Sequence, residues 1–102
     1  MAERSPQAVL EVLARHQQLH GCLYRGRLQS MPAKRSRRLM LLSEVAQVFE
    51  PGIRYPEPVV NDRLRVIHPD YAALRRYLVD EDFMDRADGQ YWRTGGPVSP
   101  SA

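Results

Sequence analysis

Apolar positions recur along the chain at helical spacing in four stretches, separated by glycine, proline and short alternating runs. Val9, Val12, Leu13 and His16 form the first stripe, opened by Ser5 as a cap and Pro6 as first helical residue, and ending near His20-Gly21. Cys22 to Leu28 alternates loosely between glycines and predicts an extended segment or short strand. Past Pro32, the chain from Ala33 to Phe49 carries the strongest stripe: Leu39, Leu42, Val45, Ala46 and Phe49, widened by Met40 and Leu41. Glu50-Pro51-Gly52 stops that helix.

Ile53-Arg54-Tyr55 then predicts one short strand. Pro56 opens a helix bearing Val60, Leu64 and Ile67, which His68-Pro69 breaks because the residue before proline is pushed out of the helical region. Pro69 starts a further helix, to about Asp82, with Asp70 in its first turn and Tyr71, Leu74, Tyr77 and Leu78 inward. Two helices so closely joined make a helix-turn-helix. Phe83 to Arg86 and Gln90 to Arg93 flank Ala87-Asp88-Gly89, a hairpin signal. The expected fold is mainly α with a small β-hairpin (α+β), a winged helix-turn-helix with an extra N-terminal helix. Its expected divisions are an N-terminal helix and extended segment over 1–25, a winged-helix domain over 26–93, and a disordered tail over 94–102.

Composition narrows the class. The chain has 102 residues, 43% apolar and 26% charged, which suits one folded domain and excludes a large catalytic machine. Its longest apolar run, Leu39 to Leu42, is four residues, far short of a bilayer span, and no secretory signal is visible. A lone cysteine, Cys22, suits a reducing, cytoplasmic setting. The net charge of +3 hides a polarity: residues 1–38 carry +6, residues 39–79 are neutral and residues 80–102 carry −3. Between Arg25 and Arg38 the six cations are uninterrupted by an acid, a patch suited to phosphate or an acidic partner. A solvated basic loop is the alternative.

An ordered set of residues resembles a known family. Gly26-Arg27-Leu28 and Pro32-Ala33-Lys34-Arg35 lead into the Leu-rich helix ending at Phe49. Then come Tyr55, Val60-Asn61, Leu64, Asp70, Leu74-Arg75-Arg76, Leu78-Val79-Asp80, Met84, Arg86, Gly89 and Tyr91-Trp92-Arg93. Over residues 26–93 this string resembles the bacterial "domain of unknown function 2087" family. Its members occur alone or fused behind regulator domains such as the ArsR type, and are commonly labelled transcriptional regulators. The resemblance therefore implies a winged-helix-like fold and a regulatory setting, and it supplies no catalytic residues. One departure is Pro58-Val59, where the family usually has an acid before the Val-Asn pair; proline is tolerated in a first helical turn.

The candidate contacts to duplex DNA follow from that order of elements. On the second helix of the turn, Ala72 leaves room for close approach to a groove, and Arg75 and Arg76 can reach phosphates or a guanine edge. The competing reading pairs Arg76 with Asp80 at i+4 and Arg75 with an acid on a neighbouring helix. Asn61 and Arg63 are candidates for the DNA backbone, unless Asn61 satisfies a turn. Lys34, Arg35, Arg37 and Arg38 crowd a helix start, where positive charge opposes the macrodipole unless an anion binds there. Against this stand Asp80, Glu81, Asp82, Asp85 and Asp88, carboxylates that keep the hairpin out of a DNA groove.

His16, His20 and Cys22 have the spacing of three zinc ligands, but no fourth is near and a chance cluster is the better reading; no metal or other cofactor is expected. Nor can a nucleophile and base, paired carboxylates or a phosphate-cradling glycine loop be assembled, so no enzyme activity is expected. The expectation is a cytoplasmic, non-enzymatic regulator binding duplex DNA, a homodimer through its N-terminal helix. The rival is a protein-interaction or sensor module whose partner is another regulator.

Overall fold

A computed structural model describes residues 4–96. Helix α1 (Pro6–Ala14) begins where expected: Ser5 accepts a hydrogen bond from the Ala8 N–H at 3.1 Å, and Pro6 needs no donor there. Val9 and Leu13, one turn apart, are fully buried. The helix stops earlier than its stripe suggests. His16 is extended, and Gln17–Cys22 winds as a 3-10 segment, so that Leu19 enters the core and His20 stays exposed. A continued α-helix would have done the reverse, because Leu19 lies well off the Val9–Leu13 stripe.

A two-stranded ribbon follows, β1 (Leu23–Tyr24) against β2 (Arg27–Leu28). Its turn, Arg25-Gly26, has φ of 52° and 77°, the left-handed pair that a tight antiparallel turn needs. Helix α2 (Arg35–Val45) and a 3-10 turn (Ala46–Val48) cover most of the long stripe, burying Leu41, Leu42, Val45 and Val48. Gly52, at φ 84°, reverses the chain into β3 (Arg54–Pro56), which runs directly into α3 (Glu57–Ile67).

His68 is extended at φ −141°, ψ 132°, as a residue before proline should be. Helix α4 (Tyr71–Asp80) starts two residues later than the proline suggested. Asp70 is its cap, accepting from the Ala73 N–H at 3.1 Å, and so lies outside the first turn. The hairpin is β4 (Met84–Ala87) with β5 (Gln90–Arg93), closed by Asp88 and Gly89 at φ 55° and 76°. Strand β3 adds to the far side of β5, giving the antiparallel order β3-β5-β4 with Tyr55 and Arg86 both opposite Tyr91.

The result is an α+β fold whose single core is shared by all four helices and the sheet. Helix α1 packs on α2 and α3, and Arg4 reaches across to Gln47 and Glu44. The first helix was expected to pair chains; its Val9–Leu13 stripe packs inside the fold, against α2 and α3. Residues Thr94–Gly96, assigned to the tail, are tied down: Thr94 Oγ1 donates to the Asp82 carbonyl at 2.6 Å, and the Gly96 N–H to the same carbonyl at 2.9 Å. The rest of that tail, 97–102, lies outside the described residues.

Candidate functional site

Helix α4 buries Leu74 and Leu78 and leaves an edge made of Ala73, Arg76, Tyr77 and Asp80. These residues line a shallow depression of about 340 Å³. On the other side of Arg76 a groove of about 320 Å³ runs between α4 and the hairpin, lined by Arg75, Arg76, Val79, Asp80, Arg86 and Tyr91. Arg76 belongs to both. It is exposed and makes no ion pair among the described residues, so the i+4 pair with Asp80 that the competing reading supposed is not formed.

The other sequence candidates divide into those the fold uses and those it leaves outside. Arg63, expected at the DNA backbone, turns inward instead. It donates to the Val48 carbonyl at 2.8 Å and lies over the rings of Phe49 and Tyr55, at 5.8 and 4.7 Å, fastening α3 to the end of α2. A guanidinium satisfies a carbonyl left open where a helix ends more readily than water can in a half-buried site. Asn61 and Arg75 also turn to each other: Arg75 donates to Asn61 Oδ1 across the α3–α4 interface and stacks 5.8 Å from the Tyr91 ring. Arg75 therefore has a neutral amide partner where an acid was the competing expectation. Ala72 is half-buried on α4.

At the start of α2 the basic run is partly cancelled. Arg35 donates to Glu81 Oε1 at 2.8 Å, Arg38 lies 3.8 Å from Glu81 Oε2, and the hydrogen bond from Arg35 holds the Glu81 carboxyl below its ordinary value. Arg38 also donates to the carbonyls of Pro32 and Ala33 and sits 5.6 Å over the Tyr77 ring. Lys34, at the cap position without a capping hydrogen bond, and Arg37 remain exposed. The α2 start and the hairpin thus flank α4 from opposite sides: Arg38 meets Tyr77, Arg35 meets Glu81, and Arg86 meets the Arg76 side.

Arg86 is the residue that sequence reasoning missed, because the hairpin was weighed as a uniform block of acids. Strand alternation separates its charges. Arg86 lies opposite Tyr91, on the face that also holds buried Met84, whereas Asp85 lies opposite Trp92 on the other face. Tyr91, opposite Arg86, donates its hydroxyl proton to Glu57 Oε1 at 2.8 Å. The signal was present in the Asp88-Gly89 turn, which fixes the register and so the partner of every hairpin residue.

His16, His20 and Cys22 do not assemble: among the described residues no three His, Cys, Asp or Glu side chains are placed to hold a metal. His20 Nε2 lies 2.9 Å from the Ala14 carbonyl, closing the end of α1. Among the described residues no helix is long and apolar enough to cross a membrane.

The molecule is a small α+β domain with a groove lined by three arginines between its last helix and its hairpin. Residues 27–93 match the model of DUF2087, described as an uncharacterized protein conserved in bacteria, and the chain belongs to that family. The match takes in β2 to β5 and leaves α1 and β1 outside it. No curated protein and no solved structure matches the chain.

Proposed function

We propose that this chain is a non-enzymatic winged-helix regulator domain, acting in the cytoplasm, that binds duplex DNA through the exposed edge of α4. Helix, strand, helix, helix and hairpin, with the first strand beside the last, is the winged-helix order, and in that order α4 is the recognition helix. The observation that carries the reading is Arg76. It is an unpaired cation at the middle of the α4 edge, with Arg86 on one flank and the exposed Lys34 and Arg37 at the α2 start on the other. Contacts would go mainly to phosphates. Arg38, Asn61, Arg63 and Arg75, engaged within the fold, would hold α4 in place. Of the acidic residues, Asp85 faces away from the groove, and Asp80 lines it beside the arginines.

Binding of a labelled duplex, followed by fluorescence anisotropy across a salt series, tests the proposal. Four cations at phosphates correspond to a slope of about −3 to −4 in log K against log salt. A slope near zero, or an Arg76→Ala variant that binds like the parent, would refute it. A second reading, a protein-interaction module of a regulator, draws support from Glu81, which neutralises Arg35 and Arg38 at the very helix start expected to meet DNA. Recovery of one specific protein partner, with no salt-dependent duplex binding, selects that reading.

A further inference from the structure

Three guanidinium groups share the groove between α4 and β4 with a single carboxylate, that of Asp80. One of the three is held in place by its side-chain contacts. Arg75 is fixed by Asn61 and by the Tyr91 ring, and its charge is left uncancelled because an amide accepts without compensating it. Arg86 stands opposite Tyr91 in the β4–β5 register, and the Tyr91 hydroxyl proton is committed to Glu57. Glu57 and Asp88 line the neighbouring cavity on the turn side of Arg86, outside this groove. Arg76, exposed and unpaired, closes the opposite wall.

Like charges brought together by a scaffold repel unless an anion sits among them, and planar guanidinium forks match the oxygens of a phosphoryl group. We propose that this groove binds one phosphoryl group, gripped between Arg76 and Arg86 with Arg75 behind it. The proposal deepens the α4 reading by naming the chemistry the groove takes, and it does not require that the phosphate belong to DNA. A phosphodiester of a nucleic-acid backbone and the phosphate of a small anionic effector share that chemistry.

The full chain, labelled with 15N, is titrated with inorganic phosphate, and the arginine Nε–Hε signals are followed, with sodium chloride at matched ionic strength as the control. Saturable shifts of the Arg76 and Arg86 signals with phosphate, absent with chloride, are expected. Arg76→Gln and Arg86→Gln should each weaken binding about tenfold, the loss of one charge-assisted contact. Arg15→Gln, exposed at the end of α1, should leave it unchanged, and Asp80→Asn should tighten it severalfold, a gain that misfolding cannot produce. Shifts that follow chloride equally, or phosphate affinity that is unaltered in both arginine variants, overturn the proposal. Parallel titrations with inorganic pyrophosphate and with a short duplex separate the sources. If pyrophosphate saturates the two signals while the duplex does not, the phosphoryl site stands and the DNA reading fails. If the duplex alone saturates them while phosphate does not, the proposal of a site for one phosphoryl group is overturned and the DNA reading stands.

Discussion

Arg75 and Arg76 are neighbours in sequence with opposite fates, and exchanging each for alanine should separate stability from binding. Arg75 donates to Asn61 across the α3–α4 interface and covers the Tyr91 ring. Losing a hydrogen bond from a charged donor costs about 1.5–3 kcal/mol, and the ring contact adds about 0.5–1 kcal/mol. Because the pair is only half-buried, water replaces part of that, leaving about 2 kcal/mol. With a urea dependence of about 1–2 kcal/mol per molar, the Arg75→Ala midpoint should fall by about 1–2 M. Asn61→Ala should cost a similar amount, and the double variant less than the sum, since both remove one interaction. Arg76→Ala should leave the midpoint essentially in place and reduce the salt dependence of duplex binding by about one phosphate contact. If Arg75→Ala is as stable as the parent and matches Arg76→Ala in lost binding, then Arg75 is a contact residue and its pairing with Asn61 does not hold α4.

Two further predictions address the fold. Leu13→Ala should lower stability by about 3–4 kcal/mol, because Leu13 is fully buried between α1, α2 and α3, and the unfolding midpoint should not vary with protein concentration; a midpoint that rises with concentration would return α1 to the role of pairing helix. His68 is buried beside the α3–α4 turn with Nδ1 unpartnered, and burial, helped by Arg27, pushes its imidazole below 6.5 against the opposing pull of Asp70. The unfolded chain then binds a proton that the folded one resists, so stability should fall as pH drops through 6.5, and His68→Gln should flatten that slope in urea melts.

Most of the fold was legible because local signals agreed with one another. Ser5-Pro6, Pro51-Gly52, His68-Pro69 and Asp88-Gly89 each punctuate the chain through a backbone restriction that tertiary packing has no reason to override. The sequence says less where packing decides. Nothing in the spacing of Val9 and Leu13 says whether their partner is another chain or α2 and α3, since an apolar stripe specifies burial without naming what buries it. The change to 3-10 winding after Ala14 is similar: it depends on Leu19 having a hole to fill.

The site was legible in residue type and misread in direction. Arginine is the residue most easily mistaken from sequence, because the fork that suits a phosphate also suits carbonyls left open at a helix end. Arg63 at Val48 and Arg27 at the carbonyls of Arg65 and Val66 both serve such ends. Composition counts the two as free charge, whereas the fold uses them as caps. The same logic runs in reverse for the hairpin, where net charge suggested repulsion. Asp85 and Arg86 are adjacent, so a sum over the segment cancels them, but a strand sends them to opposite faces and only Arg86 looks toward α4. Charge in this protein is therefore informative by face and misleading by segment, and the arginine groove exists because three elements each contribute a guanidinium-bearing or supporting face to it: Asn61 from α3, Arg75 and Arg76 from α4, and Arg86 with Tyr91 from the hairpin.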